Sequence, residues 1–475
     1  MLDINLIRDN AEAVKARLSL LGDEGALERV DQALSLDQER RQLILEAETL
    51  QAHRNKLNKS FGQLRGNKKL DGGTVLLRAV SVTQALKAHN YGEAVSILEG
   101  ERDSILKYEG ETLNLSVAFE LVTDVLRDMG DAHNALTQRI NDVEARLRDT
   151  MLFIPNLPHE STLVGASDAD NRAWTPEGTL PTFEFTPKPH WELASALGII
   201  DFERGVRLSG SRFYVLRGDG ARLQRALASF FLDMARSKGF EELYVPYLVQ
   251  EGMMEGAGQF PKFRDVVYRD PDADLYLLPT AEVAITNMHR DEILDEAQLP
   301  LYYVAQTPCF RREQTSAGKD VRGIKRVHQF EKVEMYKFTT PETSYDELES
   351  LVEAAADIPR ALELPFRRLE IVTGDLGFSA TKKYDLEIWA AGCEEWLEVS
   401  SCSNTEDFQA RRAMIRYRTT EDRKIRYVHT LNGSGLALPR VMIAIMENNQ
   451  QEDGSIIIPA VLRPYMGGQE RISRS

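Results

Sequence analysis

The chain has 475 residues, of which 43% are hydrophobic and 28% charged, a composition of folded globular proteins that argues against a disordered or fibrous chain. The length predicts two or three domains. With 74 acidic and 58 basic residues, the net charge of −16 argues against nonspecific nucleic-acid binding by the whole surface and leaves a local basic segment as an option. The three cysteines are too few and too irregularly spaced for a disulfide framework or a zinc site. No signal peptide and no apolar run of about 18 residues is found, so we expect a cytoplasmic protein without a membrane span.

Two seven-residue repeats of apolar side chains occur in the first third of the chain. Leucine recurs at every seventh position from Leu36 to Leu64, and a second stripe alternates steps of four and three from Met129 to Ile154. Such stripes are typical of coiled coils, and two of them in one chain predict an antiparallel helical hairpin. Residues 67 to 128, between the stripes, show further helical pattern interrupted near Gly72, Gly92 and Gly110, which predicts an enlarged tip.

One segment of this hairpin is strongly basic although the chain as a whole is acidic. Residues 53 to 69 contain no acid and carry six cations: Arg54, Lys56, Lys59, Arg65, Lys68 and Lys69. Clustered cations of this kind bind RNA by displacing counterions from the phosphates. A merely solvated helix face would show the same pattern, so charge alone leaves both interpretations open.

A proline-rich segment separates the helical pattern of the first third from a mixed strand and helix pattern in the rest of the chain. Residues 155 to 190 hold six of the eighteen prolines, which predicts an interdomain linker between a helical domain at 1–154 and a second domain at 191–475. After the linker, short strand patterns alternate with helical ones, and we expect an antiparallel sheet with flanking helices. The predicted fold class is therefore α+β.

A strand pair with an intervening loop is the most informative segment of this second domain. Because strands alternate faces, Arg311 and Glu313 should share one face of the first strand, and Arg326, Phe330 and Glu334 one face of the second. Arginine forks bind phosphate or carboxylate, and an aromatic ring stacks on a base, so this surface suits a nucleotide. A polar sheet face with cross-strand ion pairs is the alternative. Neither a P-loop nor a dinucleotide-binding glycine motif is present.

Three further segments carry side chains suited to phosphate or metal chemistry. The sequence LNGSGLALPR predicts a glycine turn that leads into a helix with Arg440 in its first turns, where anions are favoured. Glu398 and Ser401 offer hard oxygen ligands for Mg²⁺, although their strand parity differs, so both reach one ion only at a bulge or a strand end. Thr280 and Glu282 share a face, and local hydrogen bonding would equally account for them.

Taken together and in this order, the segments resemble the seryl-tRNA synthetases, a family of class II aminoacyl-tRNA synthetases. Residues 221 to 250 resemble class motif 1, FRRE through HQFEKVE resembles motif 2, and GLALPRVMIAIMEN resembles motif 3. The TAE triplet at 280 to 282, SSCSN at 400 to 404 and the ending RPYMGG are similar to the seryl branch in particular. The resemblance implies a coiled-coil arm that binds tRNA, a class II catalytic domain, and a homodimer formed through motif 1.

The resemblance also implies a reaction and a role for each site residue. Serine is activated by ATP with Mg²⁺ to seryl-adenylate and then transferred to the terminal adenosine of tRNA(Ser), with tRNA(Sec) left open as a second acceptor. Arg311, Arg326 and Arg440 would be the catalytic cations. The ATP site would comprise Arg311, Glu313, Arg326, Phe330, Glu398, Ser401 and Arg440, with Glu398 and Ser401 on Mg²⁺. The serine site would comprise Thr280, Glu282, Arg311, Glu334, Asn432 and Ser434, and the residues that bind tRNA would be Arg54, Lys56, Lys59 and Arg65.

The sequence departs from the family pattern in two places. Arg312, Gln314 and Thr315 surround Glu313 where smaller residues are usual, and the tip at 67–128 is longer than the family's simple turn. Two other functions stay open at this point. One is a paralogue that activates an amino acid and loads a different acceptor, and the other is a noncatalytic RNA-binding scaffold that keeps the fold.

Overall fold

The computed structural model describes residues 1–67, 69, 71–99, 115–313 and 322–474. Lys68, Gly110, Gln314 and Thr315, which the sequence singled out, lie outside the described residues. Among the helices of the described part, none is both long and apolar enough to cross a membrane.

Helices dominate the first third of the chain and flank a sheet in the rest. Numbered along the chain, they are α1 (Ile4–Asp9), α2 (Ala11–Ser19), α3 (Glu24–Gly66), α4 (Gly72–Lys87), α5 (Tyr91–Glu99), α6 (Leu115–Leu152), α7 (His190–Leu197), α8 (Phe202–Ser209), α9 (Asp219–Ser237), α10 (Glu251–Gly256), α11 (Glu282–Thr286), α12 (Ser344–Ala361), α13 (Phe408–Ala413) and α14 (Leu438–Asn448).

Among the described residues, strands begin only after the helical third. They are β1 (Arg172–Ala173), β2 (Ile200–Asp201), β3 (Val215–Leu216), β4 (Glu241–Leu243), β5 (Leu248–Val249), β6 (Tyr276–Leu277), β7 (Ile293–Asp295), β8 (Leu301–Phe310), β9 (Gln329–Thr339), β10 (Phe366–Glu370), β11 (Lys382–Ala390), β12 (Glu395–Asn404), β13 (Arg416–Arg418), β14 (Ile425–Tyr427), β15 (His429–Ala437), β16 (Ile456–Ile457) and β17 (Arg471–Ile472).

The chain forms two compact units. One consists of Asp31–Met151, and the other combines Met1–Val30 with Leu152–Ser475. The second unit therefore contains the short helices α1 and α2 as well as every strand named above.

The unit Asp31–Met151 is the antiparallel hairpin that the leucine repeat predicts. The five leucines that recur at every seventh position from Leu36 to Leu64 are all buried on α3, and Met129, Leu136 and Val143 are buried on α6. Arg40 on α3 pairs with Glu144 on α6 at 3.3 Å, and Phe61 packs edge-on against Phe119 with ring centroids 5.4 Å apart.

In the Arg40–Glu144 and Phe61–Phe119 contacts, residue numbers rise along α3 and fall along α6, as antiparallel packing requires.

The predicted enlargement of the tip contains α4 and α5, which pack against each other. Ser60 on α3 donates to Glu99 on α5 at 3.2 Å, so this helix pair is joined to α3.

An eight-stranded sheet organises the other unit. Its strand order is β1-β10-β11-β12-β15-β9-β8-β4, and all neighbours are antiparallel except the β4–β8 pair at the edge. The other short strands form three two-stranded sheets and one three-stranded sheet. The sequence prediction of an antiparallel sheet with flanking helices, and hence of an α+β fold, is confirmed.

Helices α9, α12 and α14 cover one face of this sheet, and the site shares the other face with a second hydrophobic core. Helices α9, α12 and α14 form one continuous core with the sheet, and Val333 and Met335 of β9 belong to it. Lys332 and Glu334 alternate with these residues along β9, so their side chains leave from the opposite face. Further along β9 this opposite face packs into a second hydrophobic core with α10, α11 and α13, so the polar groups lie beside that core.

The proline-rich segment, predicted to be an interdomain linker, is fastened to the sheet. Strand β1 pairs with β10 at the sheet edge. The Asn156 side chain donates to the carbonyl oxygens of Ser379 and Thr405, each at 2.8 Å. The segment is thus held by hydrogen bonds at several points along its length.

Several local predictions were wrong. Arg311 and Glu313 follow the end of β8 at Phe310, and Arg326 precedes the start of β9, so the alternation of a strand does not apply to these three residues. The predicted glycine turn at LNGSGLA is the strand β15, because these residues pair with β9 and β12. Thr280 and Glu282, which were predicted to share a face, lie beyond the end of β6 at Leu277, and α11 begins at Glu282.

The hairpin gives a direct test of the leucine seam. Replacing Leu57, which is 0% exposed, with alanine should destabilise Asp31–Met151 by about 2 to 5 kcal/mol, because it leaves a cavity in the seam. Replacing Leu45, which is 65% exposed on the same helix, should cost little. Urea unfolding measures both variants. Equal stability of the two would contradict the assignment of the seam.

Candidate active site

Two adjoining cavities lie on the face of the sheet from which Lys332 and Glu334 project. One, of about 180 Å³, is bordered by the residues after β8, the residues before β9, β12 and the start of α14. The other, of about 480 Å³, extends toward α11 and β15. Both are lined by Arg311, Glu313, Lys332, Glu398, Ser401 and Ser434.

The smaller cavity holds the arginines of the predicted ATP site. The Arg311 guanidinium carbon lies 5.2 Å from the centre of the Phe330 ring. Arg326 donates to the Glu313 carboxylate at 3.2 Å. The backbone of Glu313 has a φ of +38° and its carbonyl accepts from Arg212 at 2.7 Å, so a contact from outside the strand pair holds this turn. These contacts, rather than strand alternation, bring the predicted residues together.

Arg440 enters the same cavity from the first turn of α14. Its Nε donates to the Lys325 carbonyl at 3.4 Å, and its guanidinium also donates to the Glu398 carbonyl and lies 3.8 Å from the Glu398 carboxylate. A cation at a helix N-terminus adds to the positive end of the helix dipole, so this corner of the cavity attracts anions.

A β-bulge resolves the parity conflict between Glu398 and Ser401. In the β11–β12 pairing, Glu387 lies opposite Glu398 and the next residue, Leu386, lies opposite Ser400, so Val399 is the extra residue. Skipping one residue brings Glu398 and Ser401 to the same side of the strand. Both residues line both cavities, and a bulge was one of the two arrangements that the sequence allowed.

The larger cavity gathers the residues predicted to bind serine. Thr280 donates to the Glu334 carboxylate at 2.9 Å, and Glu282 accepts from Gln409 at 2.6 Å. Asn432 lies in the same wall, and its Oδ1 is buried without a hydrogen-bond partner. A buried acceptor beside two carboxylates suits an ammonium or hydroxyl donor.

The electrostatics of this cavity are set by two buried carboxylates. Burial, and secondly the nearby charge of Glu334, raise the pKa of Glu282 above its usual range. Lys332 forms an ion pair with Glu334 and supplies the opposite charge.

Lys332 is a residue that the sequence reasoning missed. Its ammonium donates to Thr280 at 2.9 Å and to Ser434 at 3.1 Å, and it lines both cavities. Strand parity contained the signal, because Lys332 lies between Phe330 and Glu334 on the same face of β9. Gln409 was missed as well, and a glutamine in a buried helix gives no comparable signal in a sequence.

The residues predicted to bind tRNA lie on α3, in the other unit. Lys56, Lys59 and Arg65 are exposed, and the Arg65 guanidinium lies 5.8 Å from the Phe119 ring. Arg54 is half-buried, and its guanidinium lies so close to Gly130 on α6 that a Cβ there would be 3.0 Å away. Arg54 therefore contributes to helix packing, whereas the other three present their charge to solvent.

Solved structures share this architecture over the whole chain. A seryl-tRNA synthetase from Pyrococcus horikoshii, solved in complex with ATP, superimposes with a TM-score of 0.82 at 36% identity and 100% coverage of both chains. A cytoplasmic serine-tRNA ligase from Naegleria fowleri, solved with AMP, has a TM-score of 0.83 at 29% identity, with 100% of this chain and 99% of that chain covered.

Relatives with closer sequences carry the same name. A serine-tRNA ligase from Chloroflexus aurantiacus is 50% identical over 472 residues, which is 99% of this chain and 100% of the relative. One from a Roseiflexus species is 51% identical over 475 residues, with both chains covered completely. The similarity therefore includes the helical hairpin as well as the sheet.

The antiparallel sheet, with arginines after β8 and at the start of α14, defines a class II aminoacyl-tRNA synthetase. The family model of the class II core domain (G, H, P, S and T) matches residues 263–449. The model of the seryl-tRNA synthetase N-terminal domain matches residues 1–106. The chain belongs to the seryl-tRNA synthetase family.

The raised pKa of Glu282 predicts a pH dependence. A serine ammonium bound in this cavity would need an ionised Glu282, and the carboxyl keeps its proton to a higher pH than usual, so the KM for serine should rise as the pH is lowered toward the raised pKa of Glu282. Glu282→Gln should raise this KM by about 10- to 100-fold at every pH and remove the pH dependence.

Glu331→Gln is the matched control. Burial also raises the pKa of Glu331, but that side chain leaves β9 from the other face and lines neither cavity. Serine-dependent ATP-pyrophosphate exchange across a pH series measures all three proteins. A flat pH profile in the unmodified protein would contradict the prediction.

Proposed function

We propose that the two adjoining cavities are the site at which this chain activates serine with ATP and transfers it to tRNA(Ser). The observation that carries the proposal is the pairing of a cation-rich cavity with a carboxylate-lined one through six common residues. A phosphate-bearing nucleotide and an ammonium-bearing amino acid can then meet at their boundary. The full-length relatives, which include the helical hairpin, favour this function over another acceptor or a scaffold.

The larger cavity is proposed to hold serine. Glu282, Glu334 and Thr280 receive the ammonium, and Asn432 and Ser434 lie where the side-chain hydroxyl would be. A site that pairs a buried hydroxyl rejects an analogue without it, because its own polar groups would stay unpaired at about 1 to 3 kcal/mol each. Lys332 connects the residues proposed to bind the ammonium with those proposed to lie near the hydroxyl, since it contacts Thr280, Glu334 and Ser434.

The smaller cavity is proposed to hold ATP. Arg311 binds the α-phosphate and the serine carboxylate, and Arg326 neutralises phosphate charge. Arg440 and Phe330 stack on either side of the adenine, and the exocyclic amino group of the adenine donates a hydrogen bond to Glu313. Arg440 also binds the γ-phosphate. Arg311 already lies over the Phe330 ring, and Arg440 lies at the anion-attracting end of α14.

Glu398 and Ser401 are the proposed holders of Mg²⁺. The bulge at Val399 turns both oxygens toward the cavities, and Asp385, opposite Ser401 on β11, has a buried Oδ1 without a hydrogen-bond partner. Burial raises the pKa of Asp385 to about 7. Hard oxygen donors of this kind fit Mg²⁺. When bound, the ion would neutralise phosphate charge.

The chemistry needs alignment more than acid-base catalysis. The serine carboxylate is already a nucleophile and attacks the α-phosphorus of ATP, which releases pyrophosphate and gives seryl-adenylate. A terminal ribose hydroxyl of the tRNA then takes the acyl group and releases AMP. The arginines hold attacker and phosphorus in line and stabilise the growing negative charge.

The functional division proposed for the chain is an arm at 1–154, a linker at 155–190 and a catalytic domain at 191–475. Arg54, Lys56, Lys59 and Arg65 are the residues of the arm that we propose to bind tRNA. We also propose a cytoplasmic homodimer, since Tyr244 is 86% exposed and Leu248 47% exposed in the motif 1 segment. An aminoacylation assay with serine, ATP and either tRNA(Ser) or tRNA(Sec) tests whether tRNA(Sec) is a second acceptor.

Removing Arg440 tests the ATP site. Arg440→Ala should lower serine-dependent ATP-pyrophosphate exchange by about 100- to 1000-fold, because transition-state charge loses a positioned cation, and should leave tRNA binding intact. Arg463→Ala is the control, because Arg463 pairs with Glu470 and lines neither cavity. Exchange is run with serine, threonine, alanine and glycine. Normal exchange in Arg440→Ala would refute the assignment.

Reversing the basic charges tests the arm. Lys56→Glu with Lys59→Glu should weaken tRNA binding and reduce the steepness of its salt dependence by about 0.7 to 0.9 for each phosphate that the arm ceases to neutralise. Arg146→Glu, an exposed charge on α6 outside the basic segment, should change binding much less. Exchange activity should be normal in both. Unchanged binding in the double variant would mean that the basic face is only solvated.

A further inference from the structure

A buried cluster of three polar side chains lies behind the smaller cavity and takes no part in the proposed chemistry. His190 begins α7, Cys393 follows β11, and Glu447 lies near the end of α14. His190 and Glu447 are almost completely buried. The ligand atoms of all three lie within 4.8 Å of one another.

Glu447 accepts four hydrogen bonds in this cluster. The backbone amide and the Nδ1 of His190 both donate to its Oε1 at 2.8 Å. The Cys393 thiol donates to the same oxygen at 3.2 Å, and the Cys393 amide donates to Oε2 at 2.9 Å. A carboxylate with four donors stays an acceptor only, so the proton of the His190 ring lies on Nδ1.

The other ring nitrogen of His190 is thereby free to accept. The backbone amide of Ile324 donates to the His190 Nε2 at 3.2 Å. Gly323 lies so close to this nitrogen that a Cβ at that position would be 1.9 Å from it. The His190 ring therefore fixes the backbone at residues 323 and 324.

Residues 323 and 324 lead directly into the ATP cavity. Ile324, Lys325 and Arg326 all line it, and none of them lines the larger cavity. Lys325 accepts from Arg440 through its carbonyl and pairs with Glu395 at 2.8 Å. Helix α14 thus holds this short segment twice, directly through Arg440 and indirectly through Glu447 and His190.

We propose that His190 is a positioning residue that fixes the 323–326 segment, and so Arg326, for ATP binding, through its bond to Ile324. The inference rests on the proposed ATP site. It predicts that disturbing the bond raises the KM for ATP and leaves the KM for serine unchanged. If His190 only supplied hydrogen bonds to the buried Glu447, its replacement would not change the KM for ATP selectively.

Two substitutions distinguish the role of the His190 Nδ1 from that of its Nε2. Asparagine at 190 places a donor near the position of Nδ1 and cannot reach Ile324, whereas glutamine places an acceptor near the position of Nε2. We expect His190→Asn to raise the KM for ATP about tenfold, and His190→Gln to stay within about threefold of the unmodified protein. Cys393→Ser is the control, because the Cys393 amide and thiol donate to Glu447, whereas the Ile324 amide donates to His190.

Serine-dependent exchange at varied ATP and varied serine gives the two KM values, and thermal unfolding reports folding. The reverse order, with His190→Asn normal and His190→Gln impaired, would overturn the proposal. So would equal changes in both KM values. Hydrogen exchange at the Ile324 amide of the unmodified protein is an independent measurement. Slow exchange of the Ile324 amide supports its hydrogen bond to His190, and rapid exchange refutes it. This result depends neither on the folding of the variants nor on the proposed ATP site.

Discussion

The site depends on keeping two carboxylates, Glu282 and Glu334, buried next to each other. Like charges at short range in a poorly solvated environment are expensive, so the surrounding structure has to offset them. Lys332 pairs with Glu334, and Gln409 donates to Glu282 and accepts from Tyr336 at 2.8 Å. These partners come from β9 and α13, so the carboxylate pair draws elements that are distant in sequence to one place.

The same constraint explains the polarity of the sheet. One face of β9 supplies Val333 and Met335 to the helix-covered core, and the opposite face supplies Lys332 and Glu334. A strand that is buried on both faces usually reads as apolar along its length, yet β9, which is buried on both, carries charged groups beside the cavities. Its first half therefore separates a hydrophobic core from the site, whereas its second half, with Tyr336 and Phe338, lies between two hydrophobic cores.

The sequence allowed the fold to be predicted well, because its signals are periodic. The leucine repeat of α3 and the alternation of Phe330 and Glu334 in β9 depend only on local geometry, and the structure bears both out. The site was harder because its residues lie where periodicity ends. Arg311 and Glu313 follow a strand, Arg326 precedes one, and a bulge at Val399 changes the parity of Glu398 and Ser401. The family resemblance named these residues, but contacts such as Arg212 with Glu313 bring them together. Gln409 and the His190 cluster depend on packing between distant segments, which one sequence does not reveal.

Helix α14 carries Arg440 near its start and Glu447 near its end. Seven residues are close to two full turns, so both side chains leave the helix on the same side. One added or deleted residue between them would rotate one against the other by about 100°. A change in the length of the stretch from Arg440 to Glu447 should therefore separate the arginine at the cavity from the carboxylate that holds His190, even if every residue stayed helical.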